Sequence, residues 1–353
     1  LVHSKVVALL ARLAEASVKY ADQPITGRSH NVPAQVTTLG KRFATIAEEL
    51  LFAYDRLISL QDRYPMRGIK GPVGTAQDSI DLLGSSEAHQ KLEQIIAKEL
   101  GFSQVLDSTG QIYPRSFDYD VLTTLVQLAA APSNLATSIR LMAGAELVTE
   151  GFKAGQVGSS AMPHKMNTRS CERVNGLAVV LRGYASMISE LSGNQWNEGD
   201  VACSVVRRVA IADSFYAFDG LMETILTVLK EFGTFPALID AELERQLPFL
   251  ATTKILMAAV KAGIGREVAH EVIKEHAVKA TIAIREGKTN TFFDELAADS
   301  RIPLDRAALD QLIGQPLEFA GDAQQQVSRV VNRVNAITSQ FKEASQYAAE
   351  SIR

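Results

Sequence analysis

Residues able to do chemistry gather in a few irregular stretches of this sequence. "GQVGSSAMPHKMNTRS" (155–170) sets two serines, Ser159 and Ser160, a few residues from His164 and Lys165, between long helical patterns. Arg169 and Arg173 follow at a spacing of four, which places both on one face of a helix. Ser204 and Arg208 repeat that spacing, with Arg207 beside them. Guanidiniums near a helix start oppose the helix dipole, which favours acids there, and they suit an anionic ligand. His30 stands in "TGRSHNVPAQ", a stretch pinned by Gly27 and Pro33. An imidazole on a rigid element is well placed for proton transfer near neutral pH.

Several familiar chemistries do not fit these residues. A Walker loop needs Gly-x4-Gly-Lys-Ser/Thr, and Lys165 lacks that context. A hydrolase elbow needs Gly-x-Ser-x-Gly after a strand, and "GSSA" lacks the second glycine. A Ser-x-x-Lys pair would need serine at 162, which is Met162. His270 and His276 are six apart rather than four, so they face different ways and make no zincin site. They read as ordinary surface or core residues. His3 and His89 sit in amphipathic segments with no chemical neighbours in sequence. A plain surface connector is the alternative reading of 155–170. Against it stand the loop's length of about twenty residues and the arginine pairs that follow it.

The elements that must position these residues are helical. From about Ala34 to Arg63 the apolar residues Leu39, Phe43, Ile46, Leu50, Ala53, Leu57 and Leu60 step by four and three in alternation. That 3.5-residue period marks long helices packed nearly parallel in a bundle. Helical patterns also cover residues 1–22, 86–100, 118–148, 169–192 and 200–232, with loops over 23–34, 63–78 and 101–116. Pro132 should kink or split the helix that contains it. Thr168 is placed to cap the helix after the Ser-Ser loop. No run alternates at period two, so the expected class is all-α. A central long-helix bundle spans 1–235, and a smaller helical domain spans 236–353. The first residues already show a helical pattern without a capping residue, which suggests an upstream segment.

Composition narrows the partners. The 353 residues carry a net charge of −4, with 46% hydrophobic and 22% charged residues. That balance fits a soluble globular protein and gives no footprint of a nucleic-acid binder. No run reaches membrane-spanning length. Two distant cysteines, Cys171 and Cys203, fit a reducing, cytoplasmic compartment.

The motif "GSSAMPHKMN" resembles the signature of the fumarase/aspartase superfamily, roughly Gly-Ser-Ser-x-x-Pro-x-Lys-x-Asn. Within it the chain is similar to the adenylosuccinate lyases. "SHNVPAQVTTLGKR", "GIKGPVGT", "TGQIYPR", "QWNEGDVACSVVRR" and "LPFLATTKILMAAVKAG" fit that family in order, over nearly the whole chain. The resemblance implies a long-helix bundle with a smaller C-terminal helical domain, assembled as a homotetramer whose sites each draw on three subunits. The implied reaction is elimination of fumarate from adenylosuccinate, leaving AMP, and from the succinylocarboxamide ribonucleotide of purine synthesis. No cofactor or metal is implied. Ser159 would be the general base, His30 the general acid, and Lys165 a catalytic cation. Asn167, with Lys165, would hold the carboxylates and the carbanion. Gln111, Arg173, Ser204, Arg208 and Ser29 would bind substrate.

The pattern breaks in three places. Thr168 replaces the usual proline after Asn167. Gly199 stands where several relatives carry a substrate-binding arginine. The family also has a first domain upstream of the point where this chain begins, with a further histidine and nucleotide-binding residues. The runner-up activity is that of 3-carboxy-cis,cis-muconate cycloisomerase, on the same fold. A catalytically silent structural member is the reading from another class, and the presence of Ser159, His30 and Lys165 argues against it.

Overall fold

A computed structural model of the chain describes residues 1–151, 162 and 164–350. These residues are overwhelmingly helical, as the periodicity predicts. By internal contacts the chain divides into two compact units. One comprises Leu1–Leu13, Thr45–Gly233 and Arg333–Arg353; the other comprises Ala14–Ala44 and Thr234–Asn332.

The 3.5-residue repeat has its structural counterpart in α2 (Leu39–Arg63). All seven of its repeating apolar residues are buried, from Leu39 at 0% exposure to Leu60 at 7%. Each such side chain removed from water contributes about 1.5–3 kcal/mol if large. The helix is shorter than expected at its start, because residues 24–38 form a β-hairpin rather than a loop and a first helical turn. Strand β1 (Pro24–Ser29) pairs antiparallel with β2 (Val32–Thr38), with an irregularity between Gly27 and Arg28. His30 and Asn31 make the turn, with φ of 50° and 61°. Two consecutive left-handed residues are the mark of a type I′ turn, whose twist matches that of the strands.

Three helices dominate the first unit. They are α5 (Ser116–Gly144), α6 (Arg169–Ser189) and α7 (Ala202–Glu231). Pro132 does not split α5, which runs unbroken through it. Proline removes one N–H, and flanking turns with buried Ala131, Leu135 and Ala136 hold the helix together. Helices α6 and α7 are antiparallel. Tyr184 Oη donates to Asp213 Oδ2 at 3.3 Å, and a Cβ on Gly220 would lie 3.7 Å from Leu177 Cδ1. Between α5 and α6, the Asn175 amide donates to Ser133 O at 2.8 Å, and Arg140 donates to Asn175 Oδ1 at 3.0 Å. At one end of the three helices, Leu122, Ala185, Ile188, Leu191, Cys203 and Ala210 form a buried cluster. The unit also contains α3 (Gln77–Leu83), which the sequence pattern did not reveal, and α4 (Ser86–Glu99), capped by Ser85.

The second unit holds α8 (Pro236–Leu250), α9 (Thr252–Lys261), α10 (Arg266–Arg285), α11 (Phe292–Ala297) and α12 (Arg306–Ile313). Phe292 is fully buried and stacks on Phe249 at 5.3 Å, in a core with Ile255, Val272 and Leu296. His276 has a structural role here, with Nε2 2.8 Å from Asp299 Oδ2. Arg301 bonds Asp299 at 2.7 Å and Glu275 at 2.6 Å.

That network predicts an acid limit. Hydrogen bonds from Arg301 and then His276 hold the Asp299 carboxyl well below the usual range, and Arg301 does the same to Glu275. A carboxyl depressed on folding stabilises above its unfolded pKa of about 4 and loses that contribution as pH falls through the folded value. Melting temperature should therefore fall as pH drops below about 4. Arg301→Gln should flatten the fall, as measured by thermal denaturation between about pH 2 and 6. An unchanged pH dependence in the variant would remove Arg301 as its source.

Candidate active site

The sequence-predicted residues of the first unit fall at two opposite ends of the α6–α7 pair. Arg173 lies in the second turn of α6, and Lys165 and Asn167 lead into that helix. Arg208 and Ser204 lie in the first turns of α7. The antiparallel register set by Tyr184–Asp213 and Leu177–Gly220 places Arg173 opposite about residue 224 of α7. It is thus about sixteen residues from Arg208 along the bundle, or roughly 24 Å at 1.5 Å per residue. One chain does not bring these two arginines together.

The first end holds the start of α7, with Ser204 and Arg208. Its loop pair joins residues 105–115 to residues 193–201. Gln111 N donates to Glu198 O at 2.7 Å. Arg115, buried to 3% exposure, donates to Asp200 Oδ2 at 2.8 Å and to the Asn194 carbonyl. Asp200 Oδ1 in turn accepts from Ala202 N at 2.8 Å, which ties the loop to the start of α7. Arg115 and then the Ala202 N–H hold the Asp200 carboxyl below its ordinary range. Arg67 Nη2 donates to Gly110 O at 2.5 Å from the "GIKGPVGT" loop. A cavity of ≈ 330 Å³ opens between these loops, lined by Ser108, Thr109, Gly110, Arg115 and Gln195 among others; Gln111, Ser204 and Arg208 do not line it.

Gly199 faces Gln111 directly. A Cβ at 199 would stand 3.0 Å from Gln111 Oε1 and 3.1 Å from Gln111 Cβ. A side chain there would require Gln111 to give by a few tenths of an ångström.

Neighbouring arginines on α7 have different fates. Arg207 is committed to structure, with its guanidinium bonding Asp118 Oδ2 and Tyr113 Oη. Tyr113 Oη donates to Asp118 Oδ1 at 2.7 Å, and burial followed by that bond pushes the phenol well above its usual pKa. Arg208 is exposed and has no ion-pair partner among the described residues, while Ser204 is half-buried beside it. Gln111 is exposed.

The second end is built around α6. Lys165 and Arg173 are exposed and, among the described residues, likewise lack an ion-pair partner; Asn167 is half-buried. Thr168 occupies the N-cap position, but its side chain makes no capping bond. The cap comes instead from Glu150, a residue the sequence reading missed. Its buried carboxylate accepts from Ser170 N at 3.0 Å and from Cys171 N at 2.9 Å. The expectation for Thr168 is thus corrected: a longer-reaching carboxylate has taken the same N–H groups.

Ser159 and Ser160 lie outside the described residues. His30 and Ser29 belong to the second unit, where both are exposed at and beside the hairpin turn. Arg28, one residue before, pairs with the buried Glu242 of α8, so the strand under the turn is fixed by an ion pair. Two histidines set aside as lacking neighbours prove to have them. His3 Nε2 lies 3.2 Å from Tyr54 Oη, and buried His89 lies 3.4 Å from Glu93 Oε1, which also meets Lys70. Their partners come from distant sequence, which is why local pattern did not show them. Among the described residues no cluster of His, Cys, Asp and Glu could hold a metal ion.

Comparison with known proteins shows the family. The profile of the family described as "Lyase" matches residues 2–183, and that of "Adenylosuccinate lyase C-terminus" matches residues 248–330. An adenylosuccinate lyase of Saccharomyces cerevisiae is 34% identical over 93% of this chain and 68% of its own length. Those of Schizosaccharomyces pombe and Archaeoglobus fulgidus are 33% and 32% identical, over 96% and 94% of this chain and 70% and 73% of theirs. In fold the chain is similar to a 3-carboxy-cis,cis-muconate lactonizing enzyme from Pseudomonas putida, with a TM-score of 0.81 at 20% identity over 95% of this chain and 72% of that one. A fumarate lyase from Mesorhizobium is also similar, with a TM-score of 0.78 at 19% identity over 94% and 72%. At those identities the solved structures speak for the helical-bundle fold alone. The sequence relationships go further: this chain belongs to the adenylosuccinate lyase family.

Proposed function

We propose that the protein is an adenylosuccinate lyase, splitting adenylosuccinate into fumarate and AMP and acting likewise on the succinylocarboxamide ribonucleotide of purine synthesis. The observation that carries this reading is the sorting of its cations. Arg115 and Arg207 are spent on Asp200 and Asp118. Lys165, Arg173 and Arg208 stay exposed without carboxylate partners among the described residues, as sites for a polyanionic substrate require.

The chemistry follows from the residue types. Ser159 takes the proton from the carbon beside a carboxylate, and the electron pair moves into that carboxylate as an aci-dianion. Lys165 and Asn167 face the developing charge, where fixed cations and donors act most strongly once water is excluded. His30 protonates the departing nitrogen as the C–N bond breaks. Gln111, Ser204, Arg208, Arg173 and Ser29 orient the substrate, its phosphate included. None of these steps calls for a metal or cofactor.

The separation of Arg173 from Arg208 supports a further part of the reading. A site using both draws them from different copies of the chain, as in a homotetramer with shared sites. Exposed Val205, Val209 and Tyr216 form an apolar row on α7 suited to such an assembly. No helix among the described residues is long and apolar enough to cross a membrane. Both cysteines are free and buried, in keeping with a cytoplasmic location.

Two measurements test these statements. Purified full-length protein is given adenylosuccinate, and fumarate and AMP are followed with time. Well-folded protein that releases neither would sink the assignment. For the shared site, Arg173→Met and Arg208→Met, each inactive alone, are mixed after reversible dissociation. Mixed oligomers should regain activity, because some sites then carry neither defect. No recovery from verified mixed oligomers would place both arginines in one chain's site.

A further inference from the structure

We propose that Glu150 is a positioning residue for the reaction: its carboxylate buckles the first turn of α6 to residue 150 and so holds Asn167 and Arg173 in place. The proposal rests on the assigned activity, and it stands on geometry at the α6 end of the bundle.

Glu150 is 4% exposed. Its two carboxylate oxygens receive the N–H groups of Ser170 and Cys171 at 3.0 and 2.9 Å, across twenty residues of sequence. The residue after it leaves little freedom. Gly151 has φ of +110°, and a Cβ there would fall 2.5 Å from Glu231 Cβ on α7. The chain therefore departs from residue 150 in a conformation and a space that favour glycine. On the other side of the buckle, Arg173 sits less than one turn beyond Ser170, and Asn167 sits three residues before it.

A helix start needs only a local cap. Serine, threonine, asparagine or aspartate at the N-cap supplies one for about 1 kcal/mol. Here Thr168 stands at that position and makes no side-chain capping bond. A buried charge is used instead, brought from upstream of the reactive stretch. That arrangement does what a local cap does not: it fixes the first turn of α6 against residue 150, so that Asn167 and Arg173 keep their place while a negative charge rests on the positive end of the helix dipole.

Cap and buckle can be separated experimentally. Glu150→Gln keeps the shape but turns one acceptor into a donor that opposes an N–H. Thr168→Asn adds a strong, neutral local cap. Four full-length proteins are compared: wild type, Glu150→Gln, Thr168→Asn and the double variant. For Glu150→Gln we expect kcat to fall about 10- to 100-fold, the scale of misplacing reacting groups by about 1 Å, with KM within about 3-fold. In the double variant, melting temperature should return to that of Thr168→Asn while kcat stays low. If kcat returns with melting temperature, or if Glu150→Gln keeps its kcat, Glu150 is only a helix cap and the proposal fails.

Amide hydrogen exchange of residues 164–168 gives a readout independent of turnover. It should be faster in Glu150→Gln than in wild type, and faster in the double variant than in Thr168→Asn. Equal rates in both comparisons overturn the buckle even if the enzyme is fully active. A wild-type protein inactive on adenylosuccinate would refute the assigned activity and leave the exchange comparison to decide the buckle.

Discussion

Replacing Ser159 by alanine is expected to lower kcat by about 10²- to 10⁴-fold, the range for loss of a positioned proton-transfer group, with substrate Kd changed only a few-fold. The asymmetry between the two constants is the informative part. In the proposed site, substrate is held by charge, through Lys165, Arg173 and Arg208, and by hydrogen bonds from residues such as Gln111 and Asn167. A hydroxyl contributes little to those contacts. As a base it acts only while the proton moves, so its loss appears in kcat. Serine is a weak base in water. Its alkoxide needs nearby positive charge and exclusion of water, and Lys165, six residues on and without an ion-pair partner among the described residues, is available to supply the charge. The check is steady-state fumarate release together with calorimetric binding of adenylosuccinate to Ser159→Ala, with Ser160→Ala alongside. Near-normal turnover by Ser159→Ala and loss by Ser160→Ala would move the base one residue along.

Arg115→Ala is expected to harm both stability and activity, for one reason. Arg115 is the buried half of an ion pair with Asp200 and also bonds the Asn194 carbonyl. It clamps residues 193–200 onto the start of α5. Removing it leaves the Asp200 carboxylate without its guanidinium and the Asn194 carbonyl without its donor, which should lower stability. It also frees the loop whose Glu198 carbonyl holds the Gln111 backbone and whose Gly199 lies against the Gln111 side chain. A glutamine displaced by about an ångström should lower kcat/KM about 10- to 100-fold. Urea unfolding and steady-state kinetics report the two effects. Asp200→Asn should fall between wild type and Arg115→Ala, because an amide oxygen can still accept from Ala202 N. If Arg115→Ala unfolds like wild type and keeps its kcat/KM, this loop pair does not position Gln111.

What was legible in the sequence followed from local periodicity or a local motif. The seven-residue register of α2 is a property of the segment itself, and every one of its apolar positions is buried. Arg173 and Arg208 stand out by type and spacing, and Lys165 by the resemblance of the motif that contains it; their proposed roles await the measurements above. The hairpin did not. "PITGRSHNVPAQVTT" has a proline in each strand, an irregular register between Gly27 and Arg28, and little alternation. Its turn uses His-Asn rather than the Asn-Gly pair that usually announces such turns. Other features depend on contacts that no window of sequence contains. Arg207 and Arg208 are adjacent and equivalent on paper. Asp118 and Tyr113, some ninety residues upstream, take the first and leave the second exposed. Glu150 was invisible for a like reason, since a capping residue is sought at the cap and this one lies twenty residues away.

The turn between β1 and β2 has a consequence for which amino acids can replace the proposed acid. At position 30 the backbone has φ of 50°, a conformation costing most side chains about 1–2 kcal/mol. Asparagine, aspartate and histidine are enriched there, and glycine is at ease. Of those four, histidine alone has an ordinary pKa near neutrality. Two independent sieves, one conformational and one chemical, thus pass the same residue. A lysine or tyrosine at 30 would have to strain the hairpin in order to carry a proton. An asparagine would keep the hairpin and carry none. Drift at this position therefore leads most easily to a protein that folds normally and no longer has an acid.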